Sequence, residues 1–240
     1  MQPNDGAPRY RFVDREPDDY PRPDLNPFLR QHREMGPPAL PAYRAQEAGG
    51  DWDAIFGRAA PLHVEIGSGN GFWITHMAAL HPEWNMLGVE IRFKRVVMVA
   101  KKLQTAGVST ARILRYDAFM VEELLPAAGV AGLYVNHPDP WPKDRHAKNR
   151  LLARPFGELV TRLLEPGGRL RIKTDGGGYI DEFSEAIKGL PLRVLGESRD
   201  IARDGTPWPD EDDRVTNYQR KFYEKGLPVY ALWVEKPATP

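Results

Sequence analysis

Three acidic residues each follow or end a short apolar run, and their spacing suggests a site for a nucleoside. Glu65 lies in LHVEI, Glu90 lies in NMLGVEI, and Asp117 follows ARILRY. If these runs are strands of one parallel sheet, the three carboxylates meet at one edge. There Glu90 can accept both hydroxyl hydrogens of a ribose, and Asp117 can accept from an adenine amino group. Taken singly, each acid could instead be exposed to water.

A glycine-rich turn follows the first of these acids. VEIGSGNG places Gly67, Gly69 and Gly71 where a backbone must turn sharply and can approach a ligand, next to the free amides of a helix. Phe72 stands where the dinucleotide fingerprint has its last glycine, and no Walker lysine follows. The glycines alone also fit an ordinary strand-to-helix turn. With the acids, they favour a cationic nucleoside, S-adenosylmethionine, over NAD.

A fourth carboxylate, Asp139, lies between two prolines in NHPDPWPKDRHAKNR. Pro138 and Pro140 restrict the backbone on both sides of it, and Trp141 offers a flat face for stacking on a base. The bases that follow are Lys143, Arg145, Lys148, Arg150 and Arg154. Beside an aromatic residue and a carboxylate, they indicate contact with nucleic acid phosphates. The alternatives are a Pro-Trp loop that closes the end of the sheet and a solvated charged face.

These side chains need a scaffold, and the apolar pattern predicts an α/β fold. Strands are predicted at 62–66, 85–91, 111–116, 131–137, 168–175 and 229–236. Helices are predicted at 70–80, 93–107, 150–164 and 179–190, and the helix at 150–164 is expected to be interrupted near Pro155. Their alternation predicts a parallel sheet. Residues 1–50 are predicted to form a Pro-rich, partly disordered extension, and residues 51–240 are predicted to form the catalytic domain. The polar stretch 199–218 predicts a long connection, of a kind that is often a functional lid or simply mobile.

Composition narrows the function classes. The 240 residues include 33 basic and 33 acidic side chains, so affinity for a polyanion requires a local patch. With no cysteine, methylation through a cysteine adduct or on an iron-sulfur cluster is excluded. We expect no metal site, because His76 and His81 are five residues apart. The sequence shows no signal peptide and no apolar run of membrane-spanning length, which predicts a cytoplasmic protein.

Several motifs together resemble one known family. They are EIGSGNG, GVEI, DAF, PDPWPKDRHAKNRLL, GGRLRIKTD and TNYQRKFYEKGLPVYALWVEK, within about residues 51–236. They are similar to the tRNA (guanine-N7)-methyltransferases. The resemblance implies a class I methyltransferase fold, a mostly parallel seven-stranded sheet with helices on both faces and a last antiparallel strand. It also implies S-adenosylmethionine as cofactor and 7-methylguanosine at position 46 of the tRNA variable loop as product.

The resemblance also implies site residues. The cofactor set is Glu65, Gly67, Gly69, Glu90, Asp117, Ala118 and Asp139, and Asp139 is also the presumed catalytic residue. The substrate set is Lys143, Arg145, Asp175, Thr216, Asn217, Tyr218 and Gln219. The chain departs from the family at Asn136 and His137, and at Gln219, where a glutamate is expected. Monomer and homodimer both remain open.

The sequence leaves three rival functions open. An exocyclic-amine methyltransferase carries a short motif that superficially resembles NHPDPW, but here a charged side chain separates the prolines. A non-catalytic RNA-binding protein could keep the fold without the cofactor. A nicotinamide oxidoreductase would need a different glycine spacing.

Overall fold

The computed structural model describes residues 27–139, 141, 145, 149–209 and 213–238. Eight strands within these ranges form one sheet. The strands are β1 (Ala39–Leu40), β2 (Leu62–Ile66), β3 (Asn85–Glu90), β4 (Ala111–Arg115), β5 (Val130–Asn136), β6 (Leu164–Thr174), β7 (Arg193–Ser198) and β8 (Tyr230–Glu235). Their order is β1-β4-β3-β2-β5-β6-β8-β7, and β8 runs antiparallel to both neighbours. The expected seven-stranded, mostly parallel sheet is therefore confirmed, with β1 added at one edge.

Helices cover both faces of the sheet. They are α1 (Pro27–Glu34), α2 (Ala42–Glu47), α3 (Trp52–Phe56), α4 (Phe72–Leu80), α5 (Phe93–Thr105), α6 (Arg154–Leu163), α7 (Gly177–Ala186), α8 (Ile201–Asp204) and α9 (Asn217–Tyr223), with a 3-10 helix at Ala118–Glu123. Apolar residues of α4 and α5 form one core cluster, and those of α6 and α7 belong to another. Every residue of β2 and β3 is buried, as expected for strands covered on both faces.

The strand order reverses between β2 and β5, which places a crevice at their carboxyl ends. From β2, the chain proceeds through β3 and β4 in one direction and returns through β5 and β6 in the other. At such a point in an open α/β sheet, the connections that follow two neighbouring strands run in opposite directions. Ligands bind in the crevice that this leaves at the carboxyl ends of the strands. The first three predicted acids and Asp139 all lie at this edge.

Part of the predicted N-terminal extension belongs to the packed structure. Helix α1 contacts α5, β1 pairs in parallel with β4, and Ala42 and Ala45 are buried in the core. Residues 1–26 lie outside the described part of the chain. The domain boundary near residue 50 therefore stays a prediction.

Other elements also differ from those expected from sequence. The helix predicted at 150–164 begins only at Arg154, with Pro155 in its first turn, where a proline removes no hydrogen bond. Strand β7 was missed because its side chains are mostly exposed, so RVLGES lacks a clear apolar period. Helix α9 was not predicted, because it begins at the end of the polar stretch 199–218.

No helix in the described ranges is long and apolar enough to cross a membrane.

Candidate active site

A cavity of about 560 Å³ lies at the carboxyl ends of β2, β3, β4 and β5. We call it the strand-end cavity. The predicted site residues that line it are Glu65, Gly67, Gly69, Glu90, Asp117, Ala118, Asp139, Thr216, Asn217 and Tyr218. The fold thus brings together all of the predicted cofactor residues and three of the predicted substrate residues.

The glycine turn forms the floor between β2 and α4. Gly67, Gly69 and Gly71 all have positive φ angles, 79°, 54° and 73°, which L residues with a side chain rarely adopt. The amide of Gly67 donates to the Val89 carbonyl at 2.8 Å, which fixes the turn against β3. A Cβ atom at Gly67 would meet no atom within 4 Å, so the space beside it is open to a ligand. At Gly71 a Cβ would lie 2.8 Å from Val99, so that glycine serves helix packing.

Glu65 is a buried carboxyl group with one oxygen left unbonded. Asn136 Nδ2 donates to Glu65 Oε1 at 2.9 Å, and Oε2 has no hydrogen-bond partner among the described residues. Burial raises the pKa of Glu65 to about 7. The hydrogen bond from Asn136 and, more weakly, the charge of nearby Lys173 lower the pKa, but burial outweighs them. A buried, unpaired carboxylate oxygen that faces a cavity fits a positively charged ligand.

Glu90 and Asp117 are held by backbone amides. Glu90 Oε2 accepts from the Gly69 amide and Oε1 from the Arg92 amide, both at 3.0 Å. Asp117 Oδ1 accepts from the Phe119 amide at 2.9 Å and so caps the 3-10 helix. Each carboxylate keeps lone pairs for a further donor. Phe119 is 53% exposed and also lines the cavity, where its ring can cover a flat ligand.

The opposite side of the cavity carries Asp139 in an unusual stretch of backbone. Asp139 is exposed, and on either side of it His137 and Trp141 have φ angles of 52° and 43°. Such values cost energy in residues with a side chain and often occur at functional sites. The His137 amide donates to the Lys173 carbonyl at 2.7 Å, which ties this stretch to β6. Trp141 lines the cavity and is 37% exposed.

The first turn of α9 completes this side. Thr216 caps the helix by accepting from the Gln219 amide at 3.0 Å, and the Gln219 side chain accepts from the Thr216 amide. Tyr218 is 46% exposed and packs its ring against His137, with centroids 4.8 Å apart. Lys221, which was not predicted, also lines the cavity. Its position one helical turn after Asn217 becomes visible only once α9 is known.

Gln219 does not line the cavity. Its side chain is buried and points inward, within 3.4 Å of Lys173 Nζ and 2.5 Å of the Tyr223 hydroxyl. The departure from glutamate therefore falls on a residue that shapes the start of α9. Its direct contact with a substrate stays a prediction that the geometry does not favour.

A buried ion pair anchors the segment before α9. Lys173 Nζ donates to Asp213 Oδ1 at 2.7 Å and to the Arg214 carbonyl at 2.9 Å, and the lysine side chain is 2% exposed. Burial lowers the pKa of Lys173, and the adjacent Asp213 carboxylate raises it. The contact holds the start of the helix against the end of β6.

The remaining predicted substrate residues lie apart from the cavity or outside the described residues. Asp175 does not line the cavity, and its Oδ1 is 3.9 Å from His137 Nδ1. Arg145 is exposed and away from the lining. Lys143 and Lys148 lie outside the described residues.

The basic stretch predicted to contact phosphates is partly used inside the protein. Arg150 donates to the Trp141 carbonyl at 3.1 Å and to Glu182 at 3.1 Å. Arg154 contacts Glu158 and two carbonyls near the end of α7. These contacts join neighbouring elements, and the Arg154 side chain is still 52% exposed, so contact of the two arginines with phosphates stays a prediction.

Sequence reasoning also missed polar residues of the lining. Arg95 Nη1 donates to Asn70 Oδ1 at 3.1 Å, and both residues lie in the cavity wall. Asn149 lines the other side. The position of Arg95 within the amphipathic pattern of α5 was the only available signal, and it does not distinguish a cavity from solvent. Within the described ranges, no group of three or more His, Asp or Glu residues could hold a metal ion.

Comparison with known proteins agrees with this arrangement. Residues 59–232 match the family model described as "Putative methyltransferase". A tRNA (guanine-N(7)-)-methyltransferase of Listeria monocytogenes serotype 4b is 34% identical over 81% of this chain and 89% of its own, and one of Geobacillus kaustophilus is 33% identical over 78% and 85%. The crystal structure of the 16S rRNA methyltransferase KamB shares the fold, with a TM-score of 0.57 and 13% identity, over 79% of this chain and 93% of that one.

The range that matches the family model, residues 59–232, contains the glycine turn and the strand-end acids, and the two relatives are at least 33% identical over more than three quarters of this chain. The chain therefore belongs to the tRNA (guanine-N(7)-)-methyltransferase family.

Proposed function

We propose that this protein transfers the methyl group of S-adenosylmethionine to N7 of a guanine in tRNA, at position 46 of the variable loop. The observation that carries the proposal is the convergence of Glu65, Glu90 and Asp117 on one cavity, with Asp139 on its opposite side. The family supports the reaction class and the tRNA substrate. The variable-loop position rests on the sequence resemblance.

The cavity residues fit a cationic nucleoside. Glu90 and Asp117 are already oriented by backbone amides and have acceptor capacity for ribose hydroxyls and an adenine amino group. The open space beside Gly67 allows the backbone to approach the ligand. The unbonded oxygen of Glu65 gains an attractive partner when positive charge enters the cavity.

S-adenosylmethionine supplies, when bound, a methyl group on a positively charged sulfur, which the N7 lone pair of guanine can accept without losing a proton. The protein therefore needs no general base before methyl transfer. Its residues contribute by positioning the purine and by placing negative charge where the purine becomes positive. Asp139 is placed for either task, and Tyr218 and Trp141 offer aromatic surface at the same opening.

The deciding experiment is methyl transfer from labelled S-adenosylmethionine to unmodified tRNA, followed by digestion and identification of the nucleoside. We expect 7-methylguanosine, and we expect its loss when the variable-loop guanine is replaced by adenine. A methyl group on an exocyclic amine would instead support the rival methyltransferase.

Binding separates the remaining rivals. A non-catalytic RNA-binding protein would bind tRNA but not S-adenosylmethionine at equilibrium, and an oxidoreductase would prefer NADH. Cytoplasmic location and the choice between monomer and homodimer stay predictions.

A further inference from the structure

A second concave surface adjoins the strand-end cavity, with a volume of about 620 Å³. Phe72, Thr216 and Asn217 line both. Its ionisable lining residues are His76 of α4, Lys102 of α5, Arg214 and Arg220. No acidic residue occurs among the described residues that line it. We call this surface the basic groove.

The cationic groups of the basic groove come from separate elements, and those of Lys102 and Arg220 contact neighbouring side chains. Lys102 Nζ lies 3.3 Å from the centroid of the Phe72 ring, a cation–π contact at the boundary between groove and cavity. The Arg214 carbonyl accepts from buried Lys173, which anchors the backbone there while its side chain stays exposed. Arg220 donates to Asn217 Oδ1 at 3.3 Å, and the exposed carboxylate of Glu224 lies 4.0 Å from its guanidinium group.

The charge distribution of the whole chain makes this groove informative. The net charge is zero, so a polyanion has to be recognised by a local excess of positive charge. Arg150 and Arg154, two of the five bases predicted to contact phosphates, already make contacts within the protein. The basic groove offers three cations beside the cavity where the methylated base would lie.

We propose that the basic groove binds the sugar-phosphate backbone of the tRNA next to the nucleotide that enters the strand-end cavity. This inference rests on the proposed function, because it assumes that an RNA base reaches that cavity. Lys102, Arg214 and Arg220 contact phosphates, which position the RNA without reading its sequence. Asn217 and Thr216, shared by both surfaces, lie where the backbone passes from groove to cavity.

The test compares Lys102→Gln, Arg214→Gln and Arg220→Gln with Lys101→Gln. Lys101 is the matched control, because it lies on the same helix but donates to Gln31 of α1 at 3.0 Å, away from the groove. The affinity of each protein for unmodified tRNA is measured between about 50 and 200 mM salt. Affinity for S-adenosylmethionine and the thermal unfolding midpoint are measured in parallel.

Each groove variant should bind tRNA about 3- to 10-fold more weakly and lower the slope of log affinity against log salt by about one, with cofactor affinity unchanged. Lys101→Gln should leave affinity and slope at wild-type values. The proposal is overturned if the groove variants behave like Lys101→Gln, or if tRNA affinity falls without a change in slope.

Failure of the proposed function would look different. In that case the wild-type protein itself would not methylate guanine N7 in tRNA. If the wild-type enzyme makes 7-methylguanosine and the groove variants bind tRNA normally, only the proposal about the basic groove is overturned. Competition for the groove by inorganic phosphate at micromolar concentration would indicate a small-anion site and would also overturn the proposal.

Discussion

At the residue scale, the site combines charged groups in contrasting environments. Glu65 is buried, and one of its oxygens has no hydrogen bond within the part of the chain that the structure describes, whereas Asp139 is exposed between two residues of positive φ. A buried carboxyl group that lacks a cation is destabilising when ionised. Its presence beside the glycine turn is explained if ligand binding supplies the missing positive charge. An exposed carboxylate on a constrained backbone can meet a substrate with little loss of entropy.

Glu65→Gln should therefore change the pH dependence of both stability and cofactor binding. The folded-state pKa of about 7 lies above the unfolded value, so the ligand-free wild type loses stability as pH rises from about 4.5 to 7. The variant should lack that loss and be the more stable protein above pH 7, by at most about 3 kcal/mol. Urea unfolding at pH 5 and pH 8 measures the difference.

Ionisation of Glu65 should lower stability but favour cofactor binding. Ionised Glu65 attracts a cation, so the ratio of wild-type to Glu65→Gln affinity for S-adenosylmethionine should increase as pH rises through 7. The ratio cancels the titration of the ligand itself. A ratio that is constant between pH 6 and pH 8 would contradict the assignment of Glu65 to the cation.

Asp139 allows a second residue-scale prediction. Asp139→Ala should lower turnover by about 100-fold or more, because a fixed charge near the reacting purine is lost. Asp139→Asn separates the two roles: an amide oxygen can still accept from the guanine edge but cannot stabilise positive charge. Single-turnover rates at saturating tRNA make the comparison. Near-wild-type turnover of Asp139→Ala with unchanged tRNA affinity would exclude the catalytic role.

At the scale of elements, strand ends supply the acids and α9 supplies the opposite wall. The position of α9 depends on the pair between Lys173 of β6 and Asp213, since the same lysine also binds the Arg214 carbonyl. Trp73 of α4 donates to the same oxygen of Asp213 at 3.5 Å. One buried contact thus links β6, α4 and the start of α9.

Asp213→Asn should destabilise the protein by about 3 kcal/mol, because it leaves the Lys173 ammonium buried without its counter-ion. Tyr218 and Lys221 should lose their fixed positions, so tRNA methylation should fall more than cofactor affinity does. Urea unfolding and both activity parameters measure this. Lys173→Met together with Asp213→Asn should recover part of the lost stability, since no charge is then left unpaired.

Asp181→Asn is the control for that prediction. It breaks the pair between Arg199 and Asp181, whose side chains are 51% and 55% exposed, and should have little measurable effect on stability. If Asp213→Asn were as mild as this control, the segment would not depend on the buried pair.

At the scale of the whole molecule, neutral histidines are built into the core. His63 is buried among aromatic rings, with Trp84 stacked at 3.8 Å and the Tyr134 hydroxyl 2.8 Å from Nδ1, and burial lowers its pKa to about 3. Burial, assisted by Arg115, lowers the pKa of His32 to about 4. Both groups bind a proton far more readily in the unfolded chain.

The protein should therefore lose stability in acid. Between about pH 6.5 and pH 4 the unfolded state binds more protons at these two histidines than the folded state does, so the free energy of unfolding falls as pH falls. His32→Gln and His63→Gln should each flatten this dependence, even if they lower stability at pH 7. Urea unfolding across this range measures it, and an unchanged slope in both variants would contradict the assignment.

The sequence alone determined the sheet class and the strand-end position of the acids. Both follow from local features: the period of apolar residues fixes strands and helices, and parallel strands carry their carboxyl ends to one edge. The glycine turn was likewise readable, because its residues need backbone conformations that few others adopt. The family motifs are also runs of neighbouring residues, so they could be recognised without a structure.

Only the tertiary structure decided which polar groups face the cavity and which are spent on packing. The inward turn of Gln219, the buried pair of Lys173 and Asp213, and the internal contacts of Arg150 depend on partners 46, 40 and 32 positions away. The raised pKa of Glu65 likewise comes from burial, and the basic groove joins side chains of separate helices. Residue type and spacing do not encode such long-range contacts, because side-chain burial is set by the packing of elements distant in sequence.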